Sequence, residues 1–376
     1  PVDFRNLIGR VGRISYNLYG NVFFVSDEKS VSSESYIEML QEPIPEQELS
    51  IESNPQALKR IEKKYIAEIL KSGSSEIPKR REDQSEESYV MMRKFGLILL
   101  RDIMAERDSL VHREFSDFLT VEDEQQIREK FNSSPTLPDD DINTSVDQTK
   151  RLIIAIKNGL EYPPSKNGFK YDDIIDFFNK LSKIFDWSIY EKSTLGNESK
   201  RKWYAVILSQ WMEGSGLSYI MQRAIDYHKQ HPENFRVSAY QPPTIYNDNS
   251  KEHRNVVFAD TLEAIENIVL FSISNYFLRF SNEYKKIHGV DEFDNNWYEY
   301  VEFGTTNPLT ILLQRNGFSR ESATFIKKHK NEYVVHDGST DELRLRLSLL
   351  NCGNTSVMTE AASIRFNAPK LFLEED

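Results

Sequence analysis

Cysteine is all but missing from this sequence: Cys352 is the sole one in 376 residues. One thiol closes no internal disulfide, and no Cys/His set has zinc-binding spacing, so a disulfide scaffold and a structural zinc site are excluded. A reducing cytoplasm is the expected compartment. Long apolar runs are also missing. Nothing approaches the roughly 18 consecutive residues of a membrane helix, and neither a secretory leader nor a membrane partner is expected. The longest apolar stretch, Ile265 to Phe280, is broken by Glu266, Asn267, Ser272, Ser274, Asn275 and Arg279, and it reads as a buried helix. Positive charge is in deficit. Lys and Arg number 47 against 59 Asp and Glu, a net charge of −12, which excludes a surface basic all over but not local basic patches. No Gly-x-Ser-x-Gly elbow occurs, and no Gly-x-x-x-x-Gly-Lys-Ser/Thr phosphate loop.

Aromatic residues are plentiful, with 22 Phe, 18 Tyr and 4 Trp, enough to fill sizeable cores. The length suits two or three domains. Charge is uneven along the chain. Residues 27–53 carry eight acids against Lys29, and residues 306–330 carry five Lys and Arg against Glu321. Helix punctuation is frequent. Asn54-Pro55 opens a helix that Gly73 closes, with Leu58, Ile61, Tyr65, Ile66, Ile69 and Leu70 at helical spacing. A second long helix is expected from Ser85 to Glu106. The Pro-containing, Asp139–Asp141-bearing stretch 133–145 is the best domain boundary, and Ser145 with Gln148 makes a capping box for the next helix. Further helices are expected at Tyr171–Phe185, Ser199–Met212, Gly216–His231 and Asp260–His288. Asn307-Pro308 starts another that Gly317 ends, and Ser339-Thr340-Asp341-Glu342 is a second capping box. The fold class is mainly α, with little sheet and no internal repeat.

The chain opens on Asn6-Leu7-Ile8-Gly9-Arg10-Val11-Gly12-Arg13. Two Gly-Arg pairs three residues apart present planar guanidinium forks where a phosphate can approach closely; a basic turn without a ligand is the plainer reading of the same pentapeptide. An apolar run ending Gly20–Val25 comes next and reads as a strand. Asn6-x-x-Gly-Arg-x-Gly-Arg resembles motif VI of superfamily 2 helicases of the DEAD/DEAH (DExH, superkiller-like) type. Asn6 stands where that family usually has Gln or His, and Val11 where a small residue is frequent.

The resemblance implies that residues 1–25 are a short remnant of a RecA-like α/β lobe. In it Arg10 and Arg13 would be the catalytic arginines on the γ-phosphate, with Arg13 as the finger, and Asn6, Gly9 and Gly12 would contact the nucleotide. It implies ATP and Mg2+ as cofactors of an intact motor and none on this chain alone. The chain is thus expected to be the C-terminal part of a larger helicase, partnered by N-terminal motor lobes and by single-stranded or duplex nucleic acid. On this reading residues 26–53 are an acidic connector, 54–132 a helical or winged-helix-like domain, 133–145 a linker and 146–376 a helical bundle. A looser likeness at Tyr300–Ala323 to bacterial defence-type helicases implies an antiphage role. The alternative is a non-enzymatic helical module that binds a protein partner.

Two segments are candidate nucleic-acid contacts. In the first, the turn at Arg315-Asn316-Gly317 joins two helices, and the start of the second, with Arg320 and nearby Lys327 and Lys328, is a place for a phosphate; a polar turn between core helices is the competing reading. In the second, Lys200, Arg201 and Lys202 precede Trp203, whose indole can stack on a base. Trp203 also shares a helix face with Ile207 and Trp211, which suits a core position. Lys79-Arg80-Arg81 is a weaker basic run. His112, His228 and His231 are too isolated to support a metal site, and no metal is expected.

Overall fold

The computed structural model describes residues 58–79, 84–135, 143–238, 240–336 and 343–373, with two isolated positions at 35 and 38. The described chain is mainly helical. In the N-terminal unit α1 (Arg60–Ser72), α2 (Glu86–Ala105), α3 (Leu110–Glu114) and α4 (Val121–Phe131) surround one core. Local chemistry sets their ends. Gly73 takes φ +91° and closes α1, a left-handed conformation that glycine adopts without strain. The Ser85 hydroxyl accepts from the Ser88 amide to start α2, and Thr120 with Asp123 forms a capping box on α4. Gly96 lets α2 sit against Ile77, whose Cδ1 lies 2.2 Å from where a β-carbon would stand. Among the described residues this unit contains only helices.

The central unit holds α5 (Val146–Lys157), α6 (Tyr171–Phe185), α7 (Trp187–Tyr190), α8 (Glu198–Met212), α9 (Leu217–Gln230), α10 (Lys251–Glu263), a π-helical segment (Ala264–Ile273), α11 (Ser274–His288) and α12 (Trp297–Phe303). Ser145 and Gln148 cap α5 reciprocally at 3.0 and 2.9 Å. The expected helix over 260–288 is longer: Ser250 caps it at His253 N, and α10, the π segment and α11 run on without a break. A π stretch of ten residues exceeds the single widened turn usual for this geometry. Ile265, Ile268, Val269, Ile273, Phe277 and Phe280 face the core as expected, but Phe271 is 61% exposed and Arg279 is buried. Arg279 reaches the Thr149 hydroxyl at 2.9 Å and Glu283 at 3.4 Å. Buried charge is tolerated only when paired in this way. Tyr162, Phe177, Phe277, Phe280 and Trp297 interlock at ring separations between 4.5 and 6.0 Å.

The C-terminal unit packs α13 (Pro308–Arg315), α14 (Arg320–Lys328), α15 (Lys330–Tyr333) and α16 (Thr355–Asn367) with a two-stranded antiparallel sheet, β1 (Val334–His336) and β2 (Leu343–Leu345), around its own core. Val334 pairs with Leu345 and His336 with Leu343. The second predicted capping box, Ser339 to Glu342, lies outside the described residues. Leu343–Leu345, immediately after it, form a strand and not the start of a helix. There two apolar residues alternate about Arg344 and face the core, a period of two and not of 3.6.

The units are tied by polar contacts. Ser75 donates its amide to Asp147 at 2.8 Å, and Arg151 bridges Glu76 and Asp186, each at 2.6 Å.

Candidate nucleic-acid interface

Asn6, Gly9, Arg10, Gly12 and Arg13 lie outside the described residues, as do Arg80, Arg81 and Asp139–Asp141. The nucleic-acid candidates further along the chain are all described.

The α13–turn–α14 hairpin forms as the sequence predicts. Asn307 caps α13 with Pro308 at its first position, and Ser319 caps α14. The two arginines, however, are engaged within the protein. Arg315 pairs with Glu299 at 2.5 Å and lies 5.7 Å from the Phe303 ring centroid. Arg320 lies 4.0 Å over the Trp211 ring and donates to the Ser215 carbonyl at 2.7 Å. Burial holds the Arg320 guanidinium below its ordinary pKa, as expected for a charge withdrawn from water. At the start of α14 Glu360 accepts from Ser319 N at 2.9 Å and the Ser319 hydroxyl accepts from Ser322 N at 3.2 Å. A carboxylate therefore sits where a phosphate would bind. Lys327 and Lys328, on the last turn of α14, are exposed.

The Lys200–Trp203 run has a different setting. It lies on the first turns of α8, where Asn197 caps Lys200 N at 3.1 Å. Lys202, Trp203, Val206, Ile207 and Gln210 share one face of α8 and line a cleft of about 500 Å³, closed by Tyr171 at the start of α6 and by Arg223 and Tyr227 of α9. Ile207 and Ile220 form its apolar floor and are buried. The rim is aromatic and open: Tyr171 is 40% exposed and Tyr227 56%, while Trp203 is half-buried. Rings held this way offer faces to a flat ligand at little entropic cost.

Polar groups supply the remaining features. Lys202 is held by Glu198 at 2.7 Å, with both side chains more than half exposed, so the pair is weak and easily exchanged. Lys200 donates to the Ser193 carbonyl at 2.9 Å, and Arg201 and Arg223 make no ion pair among the described residues. Asp226, the acid in the lining, is engaged by Gln222 at 3.0 Å. The Gln210 side-chain oxygen is buried with no hydrogen-bond partner among the described residues. An acceptor left in that state asks for a donor, such as an exocyclic amino group of a base.

Local sequence does not single out Arg223, Tyr171 and Tyr227, because they reach the cleft from other helices. One signal is present: Tyr219, Arg223 and Tyr227 recur every four residues and mark one face of α9. The isolated histidines find ordinary roles. His112 pairs with Glu124 at 2.7 Å, and His228 lies between Phe235 and Tyr246. No metal-binding cluster occurs among the described residues, and none of their helices is long and apolar enough to cross a membrane. Comparison with protein-family models, curated proteins and solved structures finds no match.

Proposed function

We propose that this helical region is the strand-holding part of an ATP-dependent helicase. In that reading Arg10 and Arg13 belong to the motor and sense the nucleotide, with ATP and Mg2+ as cofactors of the intact enzyme, and the cleft between α6, α8 and α9 holds single-stranded nucleic acid. One observation supports this best: an open cleft of about 500 Å³ rimmed by Trp203, Tyr171 and Tyr227, with Lys202 and Arg223 in its lining. Aromatic faces take bases without regard to sequence, and the cations take the backbone. The net charge of −12 does not oppose it, since the acid of 27–53 lies elsewhere in the sequence.

The test is titration of a fluorescent single-stranded oligonucleotide with the whole chain at two salt concentrations. Micromolar binding that weakens steeply with salt is expected. Trp203→Ala should lower affinity by roughly fivefold to a hundredfold, the value of one stacked base, and Lys202→Gln with Arg223→Gln should flatten the salt dependence. Absence of binding at low salt, or affinity indifferent to Trp203, would sink the reading and favour a helical module that binds a protein partner.

A further inference from the structure

A second cleft lies where the N-terminal unit meets the central one. It measures about 300 Å³ and is walled by α2 on one side and by the π segment and α11 on the other. Two cations enter it from α2. Arg93 lies 3.6 Å over the Tyr190 ring, and its hydrogen bond is a single long one, at 3.3 Å, to the Asn143 carbonyl. Stacking fixes the plane of the guanidinium and leaves most of its N–H donors uncommitted. Lys94, half-buried beside it, makes no hydrogen bond or ion pair among the described residues. Glu191, the acid of the lining, makes no ion pair with either cation among the described residues; its oxygens accept from Thr194 at 2.6 Å and Tyr276 at 3.1 Å. The third cation of the lining, Arg279, is matched by Glu283.

The opposite wall has different chemistry. Phe271, Asn275 and Asn282 line the same cleft from the π segment and α11. The two amides make no side-chain hydrogen bonds among the described residues, and the Phe271 ring is 61% exposed. An amide presents a donor and an acceptor together and so complements a base edge, which does the same. Lys94 and the remaining donors of Arg93 face two uncommitted amides and an exposed ring across a space of mononucleotide size.

We infer that this cleft binds a nucleoside monophosphate, with the phosphate between Arg93 and Lys94 and the base against Phe271, Asn275 and Asn282. The inference does not rest on the strand-holding role of the α6–α8–α9 cleft. The same chemistry is presented by a free nucleotide and by the 5′-phosphorylated end of a strand.

Calorimetric titration of the full chain with AMP, adenosine and inorganic phosphate tests it. AMP is expected to bind saturably and more tightly than either fragment. Lys94→Met should weaken AMP by about tenfold, the scale of one charge-assisted hydrogen bond. Asn275→Ala with Asn282→Ala should weaken it comparably, and Phe271→Ala, at an exposed position, gives a further variant expected to fold normally. Trp203→Ala should leave AMP binding unchanged, which separates the two clefts. An oligonucleotide that gains Lys94-dependent affinity only when 5′-phosphorylated identifies a strand end as the source; equal affinity of both forms identifies the free nucleotide. The inference fails if AMP does not bind at millimolar concentration, if Lys94→Met has no effect, or if phosphate alone binds as tightly as AMP.

Discussion

Arg320 acts as a strut, and removing it has a measurable cost. Its guanidinium is layered on Trp211 at 4.0 Å and donates to Ser215 at 2.7 Å, so it fastens the start of α14 to the end of α8. Gly304, at φ +60°, makes room for the layer: a β-carbon there would stand 2.7 Å from Arg320 Nε and 2.9 Å from Trp211 Cε2. A partly desolvated cation–π contact is worth about 1–2 kcal/mol, and a hydrogen bond from a charged donor about 1.5–3 kcal/mol. Removing the charge also relieves the desolvation that lowers the Arg320 pKa, which offsets part of the loss. Arg320→Met, which keeps the stem, should therefore destabilise the C-terminal unit by about 2–3 kcal/mol. Arg320→Lys should fall between, since it retains charge but loses the plane and the fork. Scanning calorimetry should show the transition containing this unit lowered by roughly 4–12 °C at a usual 2–4 °C per kcal/mol. Lys327→Gln with Lys328→Gln should leave it in place. If Arg320→Met melts like the parent chain yet loses nucleic-acid affinity, Arg320 is a ligand contact and not a strut.

Other consequences are simpler. A β-carbon on Gly196 would stand 2.2 Å from the Trp187 carbonyl oxygen, and backbone cannot yield cheaply. Gly196→Ala should cost about 1–3 kcal/mol or more, read as a lower urea midpoint; an unchanged midpoint would show that the turn can shift. Burial lowers the pKa of His228 from 6.5, so below that value the unfolded chain binds the extra proton. Stability from this group is then lost as pH falls through about 6.5, and His228→Phe should flatten that slope between about pH 5 and 7 in urea titrations. Asp186 has the opposite sign. Burial, with Glu76 alongside, raises its pKa above 3.8 despite Arg151. The folded state therefore holds the proton more tightly, and stability falls as pH climbs from about 3.8 through the folded value. Asp186→Asn should remove that decline, and a decline of equal steepness in the variant would assign it to another group.

What could be read in advance divides by range. Helix ends were legible where a cap decides them within three or four residues. Ser85, Ser145 with Gln148, Asn307 with Pro308 and Gly73 each act where predicted, and Tyr171–Phe185 forms over that span. One start differs locally: the helix expected to open at Asn54-Pro55 begins at Arg60 with Lys59 as its cap. The other exceptions share a cause in longer range. Residues 343–345 pair with 334–336, and that pairing overrides a local capping signature. The apolar stretch from Ile265 to Phe280 is helical as expected, but the ten residues Ala264–Ile273 take the π-helical form, which a period of 3.6 does not anticipate.

The basic residues divide in the same way. Arg320 and Lys327 sit seven residues apart on one helix and carry the same charge, so composition assigns them the same role. Glu299, Trp211 and Glu360 separate them: distant in sequence, these groups take up Arg315, Arg320 and the Ser319 amide and leave Lys327 and Lys328 in solvent. The reverse holds at Lys200–Trp203. There a short basic run beside one indole carries little weight until α6 and α9 bring Tyr171, Arg223 and Tyr227 to the same cleft. Net local charge is thus a poor guide to a binding face in this chain. The better criterion is which cations the protein's own carboxylates and rings leave unmatched, and by it Arg223 and Lys94 outrank both arginines of the hairpin.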